Sequence, residues 1–157
     1  MPNRPKSCVC LSCILCELVI QDQETKNKSL INMFNHVMVA ALPARMHRLS
    51  VMISITDGRG ASSGKLEILD PDGTPVIRGT NPVTFHDPIV IIDLCYEFRD
   101  VLFHKPGRYS INFWLGDDLI VMRPFTITCR PAPQGSQGPQ GPQGPQASPP
   151  PPPDTAT

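Results

Sequence analysis

The sequence lacks the features that mark membrane spans, nucleic-acid binding and helical folds. No apolar run approaches the roughly 20 residues that a transmembrane helix needs, so we expect no membrane association. Fourteen basic side chains balance fourteen acidic ones, and without a basic surplus no long-range field attracts nucleic acid. No convincing helical period occurs either. We therefore expect the 157 residues to form one domain with a non-helical core.

What the sequence does contain is short alternations of apolar and polar residues, separated by turn residues. Leu49–Ile55 alternates aliphatic side chains with serine, and Tyr109–Leu115 alternates in the same way. Each pattern predicts a strand with one buried face. The segment GRGASSG at 58–64 is interpreted as a mobile hairpin tip, and Asp-Pro-Asp-Gly and Asp-Asp sequences predict further turns. The main predicted strands are residues 11–20, 49–55, 65–69, 89–98, 108–115 and 119–129.

These patterns predict an all-β fold, with a single β-sandwich of about seven or eight mostly antiparallel strands over residues 8–130. Composition changes sharply after Arg130. Residues 131–157 contain no aromatic or large aliphatic side chain and one charged side chain, so they cannot bury enough apolar surface to offset the entropy of ordering. Their GPQ triplets are too few for a collagen triple helix. We expect a disordered tail that is either a spacer or a polyproline-II ligand.

Four of the six cysteines lie close together near the start of the chain. If residues 11–20 form a strand, alternation places Cys10 and Cys16 on the inward face and Cys13 on the opposite face. The thiolates of a zinc or iron–sulfur site must instead converge on one point. We therefore expect no metal at these cysteines and keep a metal-binding or redox protein as the alternative function. The alternative site consists of Cys8, Cys10, Cys13 and Cys16.

An export or lipid-attachment signal fits the same segment poorly. Glu17 ends the apolar stretch, and no small-residue cleavage site follows it. Thiols in a chain without an export signal are most simply reduced. We expect a cytoplasmic protein.

Residues suited to catalysis are scattered. His86–Asp87 is the one adjacent acid–base pair, and neighbours in an extended chain point apart. No glycine-rich phosphate loop precedes a helix. The acidic turns at 70–73 and 117–118 resemble the calcium loops of a C2-like sandwich, but calcium needs about six to eight oxygen ligands, and the preference of hairpins for Asp and Gly explains both turns. We expect neither enzyme activity nor a cofactor.

With metal binding and catalysis not expected, we expect the chain to be a protein-interaction or scaffold module. Trp114 is predicted on the face of its strand opposite Tyr109, where it is either covered by the next strand or exposed as an anchor for a partner. The basic segment at 44–48 adds Arg45, His47 and Arg48 as candidate contacts. The partner is expected to be a protein of unknown identity, and the oligomeric state is open.

Two segments resemble a known family. FHKPGRYSINFWLGDDLIVMRPFTI (103–127) combines a Pro-Gly corner, an alternating strand and an Asp-Asp turn, while CELVIQDQETKNKSLINMFNHV (16–37) combines a strand, a polar turn and a second strand. With Leu-Pro at 42 and 43, they are similar to a family of small uncharacterised bacterial all-β proteins with an immunoglobulin- or C2-like sandwich, over residues 14–128. The resemblance implies the fold and no activity. Tyr109 after Pro106–Gly107 also has the form of a tyrosine corner.

Overall fold

The computed structural model describes residues 8–131, which contain nine strands and no helix. The strands form a four-stranded sheet in the order β2-β1-β4-β7 and a five-stranded sheet in the order β3-β9-β8-β5-β6. β3 pairs in parallel with β9, and the other pairs are antiparallel. The predicted sandwich is confirmed, with nine strands rather than seven or eight. The bounds are β1 Val9–Gln21, β2 Lys28–Met33, β3 His36–Val39, β4 Ala44–Thr56, β5 Gly60–Leu69, β6 Pro75–Phe85, β7 Ile92–Phe103, β8 Gly107–Leu115 and β9 Asp118–Cys129.

The core between the sheets uses the alternation predicted for β4 and β8. Leu49, Val51, Ile53 and Ile55 are fully buried on β4, and Tyr109, Ile111 and Phe113 are buried on β8. Burying each such side chain contributes about 1.5–3 kcal/mol relative to leaving it in water. The inward faces predicted for these two strands are therefore confirmed.

The predicted tyrosine corner is also present. The Tyr109 hydroxyl donates a hydrogen bond to the Lys105 carbonyl oxygen at 2.8 Å. The turn before it includes Gly107 at φ 129°, a conformation that glycine adopts without steric cost. The bond ties the β7–β8 connection to the edge of the core.

β5 begins five residues earlier than the predicted strand at 65–69. Ala61–Gly64 pair with Asn81–Thr84 of β6, so most of the predicted hairpin tip is strand. Gly64 allows the backbone of β5 to lie close to two aromatic side chains. A Cβ at this position would lie 2.9 Å from the Tyr96 hydroxyl and 3.1 Å from the Phe113 ring. The glycine at position 64 thus reflects tight packing against the neighbouring aromatic side chains.

The four-stranded sheet divides at Cys16. Up to this residue β1 pairs with β4, ending at the pair Cys16–Ser50. Beyond it β1 pairs with β2, from Cys16–Met33 to Gln21–Lys28. The first half of β4 keeps β7 as its neighbour on the other side. Because β1 departs, a gap opens beside the start of β4.

The predicted tail at 131–157 lies outside the described residues except for Pro131. We expect its removal to change the free energy of unfolding by less than about 0.5 kcal/mol, because it has no large apolar side chain to contribute to a core. Thermal unfolding of a chain ending at residue 130, compared with the full chain, measures this. A fall in Tm of more than about 5 °C would contradict it.

Candidate functional site

Three of the four predicted contact residues line one cleft, of about 420 Å³. Arg45, His47 and Arg48 form its β4 wall, and His36–Met38 of β3 form the facing wall. Glu17, Asn32 and apolar residues that pack against the core complete the lining, and we call the whole the β3–β4 cleft. These core-packing residues are Phe34, Val37 and Met46.

The β3–β4 cleft is bounded by strand edges rather than strand faces. Residues 45–48 line it in succession, as do residues 36–38. Among the described strands, β3 lies at the edge of its sheet and pairs with β9 alone. β1 pairs with β4 no further than Ser50. Residues 44–49 thus have a partner strand, β7, on one side alone within residues 8–131.

Asp100 of β7 contacts two side chains of the β4 wall, Arg45 and His47. Its φ of 53° is a left-handed conformation that aspartate tolerates better than most residues. Asp100 Oδ1 lies 3.0 Å from His47 Nδ1 and 3.9 Å from Arg45 Nη1. All three side chains are largely exposed, so these contacts orient the wall and stabilise the fold little.

The charge of the cleft lining is more positive than negative. Arg45 and Arg48 stand against one carboxylate, Glu17, which accepts a hydrogen bond from Asn32 Nδ2 at 3.1 Å. Asp100 offsets Arg45, whereas no acidic side chain among the described residues pairs with Arg48. The cleft is therefore suited to an anionic ligand.

Trp114, the fourth predicted contact, lies on the exterior of the five-stranded sheet. It is half-buried between Lys65 of β5 and Leu119 of β9. Lys65 Nζ is 5.4 Å from the ring centroid, a cation–π contact. The indole Nε1 is buried and has no hydrogen-bond partner within the described part of the chain. The predicted face is confirmed, and the partner role of Trp114 stays a prediction.

The faces predicted for Cys13 and Cys16 are wrong, while Cys10 faces the core as predicted. A bulge between Cys10 and Ser12 places Cys10 opposite Ile55 and Cys13 opposite Ile53, so both face the core. Cys16 pairs with Ser50 on the other face of the sheet, although it is fully buried. The prediction assumed unbroken alternation, and one inserted residue reverses the face of everything beyond it.

This arrangement separates Cys16 from Cys8, Cys10 and Cys13. The three inward cysteines line a groove between β1 and β9 that also contains Arg123. Within residues 8–131 no three His, Cys, Asp or Glu side chains are grouped as a metal site requires. Elemental analysis of the full chain tests the metal-binding alternative, for which stoichiometric zinc or iron lost on Cys13→Ser is the supporting result.

Burial raises the pKa of Cys8 and Cys13 to about 11. At neutral pH such thiols carry about a hundredfold less thiolate than thiols of pKa near 9, and the thiolate is the reactive form. The arginine at 123 acts in the opposite direction on Cys13 and does not outweigh the burial. The inward thiols are thus poorly suited to redox chemistry at neutral pH.

We expect iodoacetamide at pH 7.5 to modify Cys129 first in the native chain, because Cys129 is exposed. Cys13 and Cys16, which are both buried, should react at least tenfold more slowly. Peptide mass mapping over time measures the order. Modification of Cys13 as fast as Cys129 would contradict the inward position of its thiol, and the urea-unfolded chain is the control.

The acidic turn at residues 70–73 is contacted by the side chain of Lys105. Asp70 accepts hydrogen bonds from the backbone of Asp72 and Thr74, and Lys105 Nζ contacts the carboxylates of both Asp70 and Asp72. The hydrogen bond from Lys105 and the bond from the Thr74 backbone lower the pKa of Asp70. This arrangement gives the turn a structural role, as hairpin chemistry predicts.

Sequence reasoning missed an exposed apolar loop before β7. Residues 89–91 were predicted as strand, yet the exposed fractions of Ile89 and Ile91 are 79% and 58%. Asp87 accepts hydrogen bonds from Ile89 N–H and Val90 N–H, and Thr56 and Asp57 donate to loop carbonyls. These local bonds hold the segment as a loop, which an apolar run does not reveal.

Fold and surface together define a small two-sheet β-sandwich with an edge-lined, basic cleft. A model of a family of unknown function, DUF6941, matches residues 11–128, and the chain belongs to this family. The resemblance predicted from the sequence is thereby confirmed. No curated protein matches the chain.

One solved structure that matches part of the chain is Pseudomonas fluorescens alkylpurine DNA glycosylase AlkC bound to DNA containing an abasic site analog. The identity is 8% and the TM-score 0.41. The match covers 60% of this chain and 28% of the glycosylase chain.

No helix among the described residues is long and apolar enough to cross a membrane.

Proposed function

We propose that the protein is a non-enzymatic protein-interaction or scaffold module. The observation that supports this most is the β3–β4 cleft, where a strand edge with no pairing strand in the described part of the chain, an apolar lining and basic side chains occur together. Unpaired strand edges are a common site for peptide recognition. Apolar surface beside polar groups is typical of binding sites.

The contacts proposed for the partner are Arg45, His47 and Arg48 in the cleft, with Trp114 as a separate anchor on the other sheet. The resemblance to bacterial all-β proteins supports a bacterial source. The six free cysteines support a reducing compartment, which we propose to be the cytoplasm.

Affinity capture with the full chain as bait tests the proposal. The cleft variant Arg45→Glu/Arg48→Glu is compared with Arg59→Glu/Arg108→Glu, which makes the same charge change at exposed arginines outside the cleft. We expect at least one protein whose recovery, measured by quantitative mass spectrometry, falls at least fivefold with the cleft variant and not with the control. Equal recovery of every captured protein by both variants would overturn the role of the cleft.

A further inference from the structure

We infer that the β3–β4 cleft binds an extended, acidic segment of a partner protein, which adds as a strand to the edge of β4 at residues 44–49. This inference rests on the proposed function and specifies the chemistry of the partner. It combines two independent properties of the cleft, a backbone edge that no strand pairs with inside residues 8–131 and an arginine, Arg48, that no described acidic side chain pairs with.

The backbone edge argues for an extended ligand. On the N-terminal side of Ser50, β4 no longer pairs with β1, and no described strand takes the place of β1. Six residues span about 20 Å as a strand, and those of their N–H and C=O groups that face the gap have no ladder partner there. A peptide strand satisfies such groups with main-chain hydrogen bonds.

The side chains on this edge argue for acidic residues in the ligand. Arg45 and Arg48 are separated by three positions, with His47 between them, and Arg48 has no acidic partner among the described residues. Basic side chains on a free edge discourage pairing with a second copy of the same edge, because like charges would then lie opposite each other. An acidic strand is attracted by the same side chains.

The apolar lining supplies a place for an alternating side chain of the ligand. Phe34, Val37 and Met46 are partly buried against the core and still line the cleft. Successive side chains of an added strand point to opposite sides, so acidic residues that reach the arginines alternate with apolar residues that reach this lining. Glu17 also lines the cleft, and beside this carboxylate alone a basic ligand residue would be favoured. One of the Glu17 oxygens already accepts a hydrogen bond from Asn32.

Display of random octapeptides, selected on the full chain, tests the inference. We expect enrichment of peptides that alternate acidic with β-branched or aromatic residues. Selected peptides should bind Arg45→Glu/Arg48→Glu about tenfold more weakly, since an attraction is replaced by a repulsion at two exposed sites. They should bind the control Arg59→Glu/Arg108→Glu as tightly as the natural chain. Enrichment of basic or proline-rich peptides, or equal affinity for both variants, would overturn the inference.

Two further measurements test strand addition itself. A selected peptide should slow hydrogen exchange of the backbone amides within residues 44–49, and methylation of its alternate backbone nitrogens should weaken binding at least tenfold. Protection confined to other strands, or unchanged affinity after each of the two alternate sets of nitrogens is methylated in turn, would contradict strand addition. If acidic peptides fail while affinity capture still depends on Arg45 and Arg48, the proposed function stands and this inference falls.

Discussion

Replacing Tyr109 with alanine is expected to lower the free energy of unfolding by about 3–5 kcal/mol, the range for aromatic truncation in a core. Tyr109 is 1% exposed, and its ring centroid lies 5.2 Å from that of Phe103 and 5.4 Å from that of Phe125. Truncation removes these aromatic contacts and the corner hydrogen bond to the Lys105 carbonyl. Equilibrium urea unfolding, fitted with a common m-value, measures the loss.

Two matched variants separate the contributions. Tyr109→Phe keeps the ring and removes the hydrogen bond, so it should cost about 0.5–1.5 kcal/mol. Trp114→Ala, on the exterior of the same strand, should cost less than Tyr109→Ala because Trp114 is half-buried. A loss below about 1 kcal/mol for Tyr109→Ala, or a larger loss for Trp114→Ala, would mean that the inward face of β8 is reversed.

Gly58→Ala is expected to destabilise the fold by about 1–3 kcal/mol through overpacking. A Cβ at Gly58 would overlap the ring of Phe85, a side chain of β6 that is 6% exposed and belongs to the core. Because three atoms along one side of the ring are too close, the whole ring has to move. Urea unfolding again measures the loss.

A second substitution tests the stated cause. In a Phe85→Leu background the overlapping ring is gone, so adding Gly58→Ala should cost less than about 0.5 kcal/mol. The double-mutant cycle then shows a coupling energy of about 1 kcal/mol or more. An equal cost of Gly58→Ala in both backgrounds would attribute the effect to the backbone of the turn instead of the contact with Phe85.

How far the sequence predicts the fold depends on whether a strand keeps its regular register. β8 does so across its inward residues, and alternation alone predicts that Tyr109 and Ile111 face the core. β1 does not, because its bulge lies between Cys10 and Ser12. No turn residue marks that bulge in the sequence, so the face of Cys13 could not be predicted from the alternation.

The candidate site is predictable in its residues and not in its shape. The basic segment at 44–48 identifies Arg45, His47 and Arg48 by their charge. The cleft itself depends on where β1 leaves β4 for β2, which is a long-range pairing that no local pattern encodes. The apolar lining at Phe34 and Met46 depends on the positions of β3 and β4 relative to each other, which the sequence of either segment does not reveal.

The most direct test of the central claim, that the β3–β4 cleft is the surface through which this module binds a partner, is photo-crosslinking in cells that make the full chain. A benzophenone amino acid is introduced at His47 in the cleft wall, and at Gln23 in the exposed β1–β2 turn as the matched control. The claim predicts a discrete crosslinked protein from position 47 that is absent from position 23 and is lost when Arg45→Glu/Arg48→Glu is added. The same crosslinked products from both positions, or none from position 47 at matched expression and photolysis, would contradict it.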